Sequence, residues 1–114
     1  MEIREDRRDD VLVVAPAGRI DSGSSGELEK RLLEHVSAGE KRIVMDLLDV
    51  DYISSAGLRV LLLTANKLRP QRGQIVLCSL GQSVREVFEL AGFTSIFSIE
   101  PSRELALARL EREV

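Results

Sequence analysis

The apolar positions of this chain fall into short runs of two kinds, some continuous and some spaced at three and four residues. Val11-Leu12-Val13-Val14-Ala15 predicts a buried strand, with Ile3 to Arg7 an edge strand ahead of it and Arg7-Arg8-Asp9-Asp10 the charged turn of a hairpin. Pro16 and Gly18 then interrupt the pattern. Ser24 with Glu27 three residues on has capping-box spacing, and Leu28, Leu32 and Val36 share one face of the helix it opens, which Gly39 closes. Ile43-Val44-Met45-Asp46-Leu47-Leu48 predicts a short interior strand. Leu58, Leu61, Leu62, Ala65 and Leu68 recur at helical spacing after it, which places Ser54 and Ser55 at or just before a helix N-terminus.

Pro70 and Gly73 mark a turn into a strand at Ile75 to Cys78. Ser83 and Glu86 repeat the capping-box spacing, Val84, Val87, Phe88 and Ala91 form the stripe of another helix, and Gly92 stops it. Ser95-Ile96-Phe97-Ser98-Ile99 alternates as a strand, and Pro101-Ser102 starts a last helix carrying Leu105, Ala108 and Leu110. The order is ββαβαβαβα. Strands alternating with helices imply an α/β fold with a mixed, mostly parallel sheet, right-handed crossovers and about four α-helices, opened by one antiparallel pair. With neither linker nor internal repeat, residues 1–114 form one domain.

Composition narrows the function classes. Hydrophobic residues make up 44% and charged residues 31%, as in ordinary globular domains, while 4% aromatic residues and no Trp imply an aliphatic core. Sixteen basic residues are scattered among nineteen acidic ones, for a net charge of −3, so no basic stripe offers itself to nucleic acid. No apolar run approaches the roughly 20 residues needed to cross a bilayer, and the first ten residues lack a signal peptide's apolar core; the expectation is a cytoplasmic chain with no membrane insertion. The single cysteine, Cys78, lies in a strand and is expected to pack.

Catalytic chemistry finds little footing. The lone His35 falls in a charged helix as an expected solvent-facing residue, away from any serine that would act as a nucleophile, and one His with one Cys cannot build a zinc site. The small polar loop Asp21-Ser22-Gly23-Ser24-Ser25-Gly26-Glu27 leads into a helix as phosphate loops do, yet it lacks both G-x-x-x-x-G-K-[ST] and G-x-G-x-x-G, and Asp21 and Glu27 repel anions. No cofactor, metal or catalytic residue is therefore assigned. The serine pair remains, as a helix cap or as something more.

Asp51-Tyr52-Ile53-Ser54-Ser55-Ala56-Gly57-Leu58, together with Asp46-Leu47 before it and Gly18-Arg19-Ile20-Asp21 further upstream, resembles the STAS domain of bacterial anti-sigma factor antagonists. Phe88-Glu89-Leu90-Ala91-Gly92-Phe93 resembles that family's third-helix ending, and the likeness runs from about Val11 to Leu110. The resemblance implies a non-enzymatic binding protein that works by partner switching. Its partners would be a serine kinase of histidine-kinase-like ATPase fold, itself an anti-sigma factor, and a PP2C-type phosphatase. Ser55 would be the phosphoacceptor. Ser54, which stands where many phosphorylated members carry Asp, is the second candidate. Asp21, Ser54, Ser55, Ala56, Gly57 and Arg59 would border the docking surface.

Physical chemistry fits such a switch. If Ser55 caps the helix, the free N–H groups of the first turn, Ala56 to Leu58, and the positive dipole end accommodate a phosphate without unfolding the domain. The added −1.5 to −2 charges, about that much at neutral pH, would repel an acidic partner face in a neighbourhood holding Asp21 and Asp51. Ala56 and Gly57 either let a partner backbone approach or let the helix start pack on the sheet. Two other readings stay open at this stage: a constitutive STAS subunit that scaffolds an assembly or regulates a transporter from the cytosolic side, and a small nucleotide-binding enzyme using the Asp21 to Glu27 loop.

Overall fold

A computed structural model describes residues 1–112, so the last two residues of the expected 1–114 domain lie outside the described residues. The strands are β1 (Glu2–Arg8), β2 (Val11–Ile20), β3 (Arg42–Asp46), β4 (Val50–Ile53), β5 (Gln74–Cys78) and β6 (Ser98–Glu100). The helices are α1 (Ser25–Ser37), α2 (Ser55–Leu68), α3 (Gln82–Leu90) and α4 (Arg103–Arg112). β1 and β2 pair antiparallel, and every other pairing in the order β1-β2-β3-β5-β6 is parallel. The α/β class, the opening hairpin and the mostly parallel sheet are as the sequence predicts.

Period-two alternation on the central strands explains the layering. Leu12 and Val14 of β2, Ile43 and Met45 of β3 and Ile75 and Leu77 of β5 point to one face, where Leu28, Leu32 and Val36 of α1, Leu61 and Leu68 of α2 and Phe88 of α3 cover them. The intervening residues, Val11, Val13, Val44, Val76 and Cys78, point to the other face and form an apolar cluster with Ala106 and Leu110 of α4, with Leu107 at the margin. Small side chains on that side let a single helix lie close. α4 buries Ala106 and Leu110, while Leu105, expected in its stripe, is exposed.

Several local expectations need correction. β2 does not end at Pro16 but runs on to Ile20. It pairs with β3 at residues 12–14 and with a further strand, β4, at residues 18–20, so Pro16 falls between the two partners, where no pairing on that side needs its missing N–H. Gly18, at φ 94, takes the left-handed backbone at the changeover. Neither capping box forms. Ser24 Oγ donates to Arg19 O at 2.7 Å and accepts from the Asp21 N–H at 3.0 Å, while Glu27 holds the Met1 ammonium at 3.0 Å. Ser83 lies inside α3, which Gly81 precedes, and its hydroxyl faces Asp51 O at 3.4 Å. The predicted strand at 95–99 starts later, because Phe93–Ser95 forms a 3-10 turn and Phe97 packs into a cluster with Phe88 and Phe93.

Candidate functional site

Parallel pairing of β2 with β4 builds the site. Ile20 lies opposite Ile53, and the Ser54 N–H extends that ladder by donating to Ile20 O at 2.8 Å. Ser54 is thereby held extended, at φ −95 and ψ 175, and the chain turns into α2 immediately after it. This is N-cap geometry: the Ser54 carbonyl accepts from the Leu58 N–H at 3.0 Å, and its Oγ accepts a long 3.4 Å bond from the Gly57 N–H. The cap is therefore Ser54, and Ser55 is the first helical residue.

That division corrects the premise of a capping Ser55 and alters what each serine has to offer. Ser55 is exposed, and its hydroxyl makes no hydrogen bond among the described residues. Of the first-turn amides, Gly57 and Leu58 are engaged with Ser54, while the N–H groups of Ser55 and Ala56 precede the first intrahelical bond, at the positive end of the helix. α2 has no acidic side chain in its first turn.

The remaining predicted site residues occupy different positions. Gly57 is buried, and a Cβ built there would lie 2.7 Å from both Ile20 Cγ2 and Ile53 Cγ1, so its smallness seats the helix on β2 and β4. Asp21 follows Ile20 and so neighbours Ser54 across the two strand ends. Its carboxylate accepts from the Gly23 N–H at 2.9 Å and the Ser24 N–H at 3.2 Å. The Gly23 bond chiefly holds its pKa below the ordinary range; slight desolvation opposes this, and Ser24 and Arg19 support it. The loop's own carboxylate thus takes the two amides a bound phosphate would need. Arg59 is exposed on α2 and reaches α1, with Nη2 3.0 Å from Glu29 Oε1. Asp51 is the extra residue of β4 between the pairs Gly18–Val50 and Arg19–Tyr52, and this bulge leaves both Asp51 and Tyr52 facing solvent.

Two residues at the site escape a sequence reading. Arg19 lies with its guanidinium carbon 4.2 Å from the centroid of the Tyr52 ring and its Nε 3.6 Å from Asp21. The pair presents a flat cationic and aromatic surface beside the serines. Tyr52 is the only tyrosine of an aromatic-poor chain and stands two residues before Ser54, a signal available in the sequence.

Other groups are accounted for by structure. His35 is not solvent-facing: it is half-buried against β1, with Nε2 2.7 Å from Glu5 Oε2, to which Arg31 also donates at 3.0 Å. Cys78 is buried, and desolvation pushes its thiol up to about 11, so it stays protonated and packs. Asp46, in the Asp46-Leu47 signature, is buried and binds Arg103 Nε at 2.8 Å and the Leu48 N–H at 3.1 Å. It fastens α4 to the sheet. Among the described residues no helix is long and apolar enough to cross a membrane.

Comparisons with known proteins converge on one family. The STAS domain model matches residues 2–106. BtrV of Bordetella bronchiseptica, whose name places it among anti-sigma factor antagonists, is 48% identical over 108 residues, covering 95% of this chain and 93% of that protein. The crystal structure of an anti-sigma factor antagonist from Mycobacterium paratuberculosis superposes with a TM-score of 0.89 at 27% identity, covering 96% of this chain and 93% of the other. The Bacillus cell fate determinant SpoIIAA in its phosphorylated form shares the fold, with a TM-score of 0.74 at 16% identity over 96% of this chain and 99% of the other. The model match over nearly the whole chain and the identity to BtrV establish that this chain belongs to the STAS domain family, among the anti-sigma factor antagonists.

Proposed function

We propose that this chain is a cytoplasmic, non-enzymatic anti-sigma factor antagonist that works by partner switching. In the unmodified form it docks, through the surface around Ser55, on a serine kinase of histidine-kinase-like ATPase fold that is itself an anti-sigma factor. Phosphorylation of Ser55 ends that docking. The γ-phosphoryl group of ATP passes to Oγ, the hydroxyl proton is lost and ADP leaves; a PP2C-type phosphatase hydrolyses the ester and restores the binding form. The observation that carries this reading is the division of labour between the two serines. Ser54 is occupied as the helix cap, whereas Ser55 is exposed with its hydroxyl unengaged among the described residues.

Electrostatics supports the release step. A phosphate on Ser55 adds about −1.5 to −2 charges one residue from Ser54, which neighbours Asp21 across the strand ends, while the first-turn amides of Ser55 and Ala56 tolerate it in place. The fold survives and the surface changes. Arg19 and Tyr52 give the unmodified surface an anchor of the kind interfaces favour.

Incubation with the cognate kinase and ATP, read by intact mass and phosphopeptide mapping, tests the assignment. One phosphate is expected on wild type and on Ser54→Ala, and none on Ser55→Ala. A Ser55→Asp variant is expected to bind the kinase about 2–3 kcal/mol more weakly by calorimetry, with its melting temperature nearly unchanged. A wild-type chain that takes no phosphate, or equal kinase affinity for the Asp variant, defeats the proposal and favours a constitutive scaffold.

A further inference from the structure

Beyond the switch itself, the α2 surface contains a residue placed to respond to it. We propose that Arg59 is the intramolecular receptor of the phosphate on Ser55, and that it takes up this role by leaving Glu29 on α1. The inference rests on the reading of Ser55 as the modified residue.

Ser55 and Arg59 stand four apart on α2 and are both exposed, so they are neighbours on one helix surface. An acidic group four residues before a basic one is the favourable orientation of such a pair. In the unmodified chain that slot is empty of charge, because α2 has no acidic residue in its first turn. Arg59 instead reaches sideways and makes a single 3.0 Å contact with Glu29 Oε1 on α1. The arginine side chain is 66% exposed, so this is a surface ion pair that exchanges readily. A phosphate on Ser55 competes with advantage. It carries nearly twice the charge of a carboxylate and presents three oxygens to a guanidinium that binds them as a fork.

The exchange has a consequence away from the modified serine. Arg59 ties α2 to α1 through Glu29, and its departure leaves the Glu29 carboxylate without that partner. Phosphorylation then makes the surface more acidic at two places, the start of α2 and the side of α1. Arg19, on the strand whose end neighbours Ser54, is the rival. It already stacks on Tyr52 and faces Asp21, so moving it would sacrifice two contacts where Arg59 gives up one.

The test uses the full chain with phosphoserine installed at position 55 during expression, so no kinase is needed, and follows the second ionisation of the phosphate by phosphorus NMR. Arg59→Gln is expected to raise that pKa by roughly 0.3–0.5 unit, because the dianion loses its cation. Glu29→Gln is expected to lower it by a similar amount by removing the competitor, and to have no effect in the Arg59→Gln background. Equal values in wild type and Arg59→Gln overturn the proposal, as does a shift caused by Arg19→Gln and not by Arg59→Gln. A kinase assay that leaves Ser55 unmodified would instead defeat the proposed function without altering this titration.

Discussion

Because the first turn of α2 lies against Ile20 and Ile53, the place of Ser55 is set by a residue two positions further on. A Cβ at Gly57 would meet the side chains of both isoleucines at 2.7 Å and the Ile20 carbonyl oxygen at 3.3 Å. The side chains have some freedom to turn away, but the carbonyl belongs to the β2–β4 ladder that holds Ser54. Gly57→Ala is therefore expected to destabilise the domain by about 1–3 kcal/mol through overpacking, measured by urea denaturation. An unchanged midpoint would mean that the helix start is loosely seated. The serine pair was conspicuous in the sequence, but its division into cap and free hydroxyl was not. That division follows from the extended backbone of Ser54, imposed by Ile20, a residue far away in the chain. Local spacing cannot carry such information.

At the scale of elements, continuous apolar runs reveal β2, β3 and β5 because each is apolar on both faces, and helical stripes reveal α1, α2 and α3. β4 was missed for a physical reason. It has four residues, and the bulge at Asp51 turns two successive side chains to solvent and erases the period of two. The two capping boxes misled because their serines found other acceptors, Arg19 O and Asp51 O, supplied by neighbouring elements. The contact of β1 with α1 yields a pH dependence. Partial burial would raise the Glu5 pKa, but the bonds from His35 and Arg31 outweigh it and hold the carboxyl below its ordinary 4.5. The folded state therefore binds fewer protons at Glu5 than the unfolded chain does. Its stabilising contribution is present above about pH 4.5 and is lost as pH falls through the folded-state value. Glu5→Gln is expected to be about 0.5–1 kcal/mol less stable than wild type at pH 7, with the gap closing on acidification below pH 4.5. A gap that persists in acid would assign the loss to packing.

The whole molecule separates its proposed signalling face from its scaffold. Three helices cover one side of the sheet, and Ser55 begins one of them. The other side is covered, among the described residues, by α4, held by the small apolar contacts of Ala106 and Leu110, by the ion pair of Arg103 with Asp46 and by that of Arg109 with Glu100 on β6. Asp46 is 5% exposed, so removing the guanidinium leaves a buried carboxylate whose hydrogen bonds come from the neutral Leu48 N–H and Cys78 thiol. Loss of one member of a buried pair costs about 3–5 kcal/mol; Arg103 is itself partly exposed, which places Arg103→Ala near about 2–3 kcal/mol. Asp46→Asn removes the charge that needs the partner, so the double variant should cost less than the sum of the two single changes. A coupling above about 1 kcal/mol in a urea-denaturation cycle is expected, and strict additivity would show that the Arg103–Asp46 pair adds nothing to the hold on α4. Since α4 packs on the side of the sheet away from α2, folded Arg103→Ala should still accept phosphate on Ser55 at the wild-type rate. A slowed rate at temperatures where the variant is fully folded would show that the two faces are coupled through β3, and that Asp46 supports the switch as well as the fold.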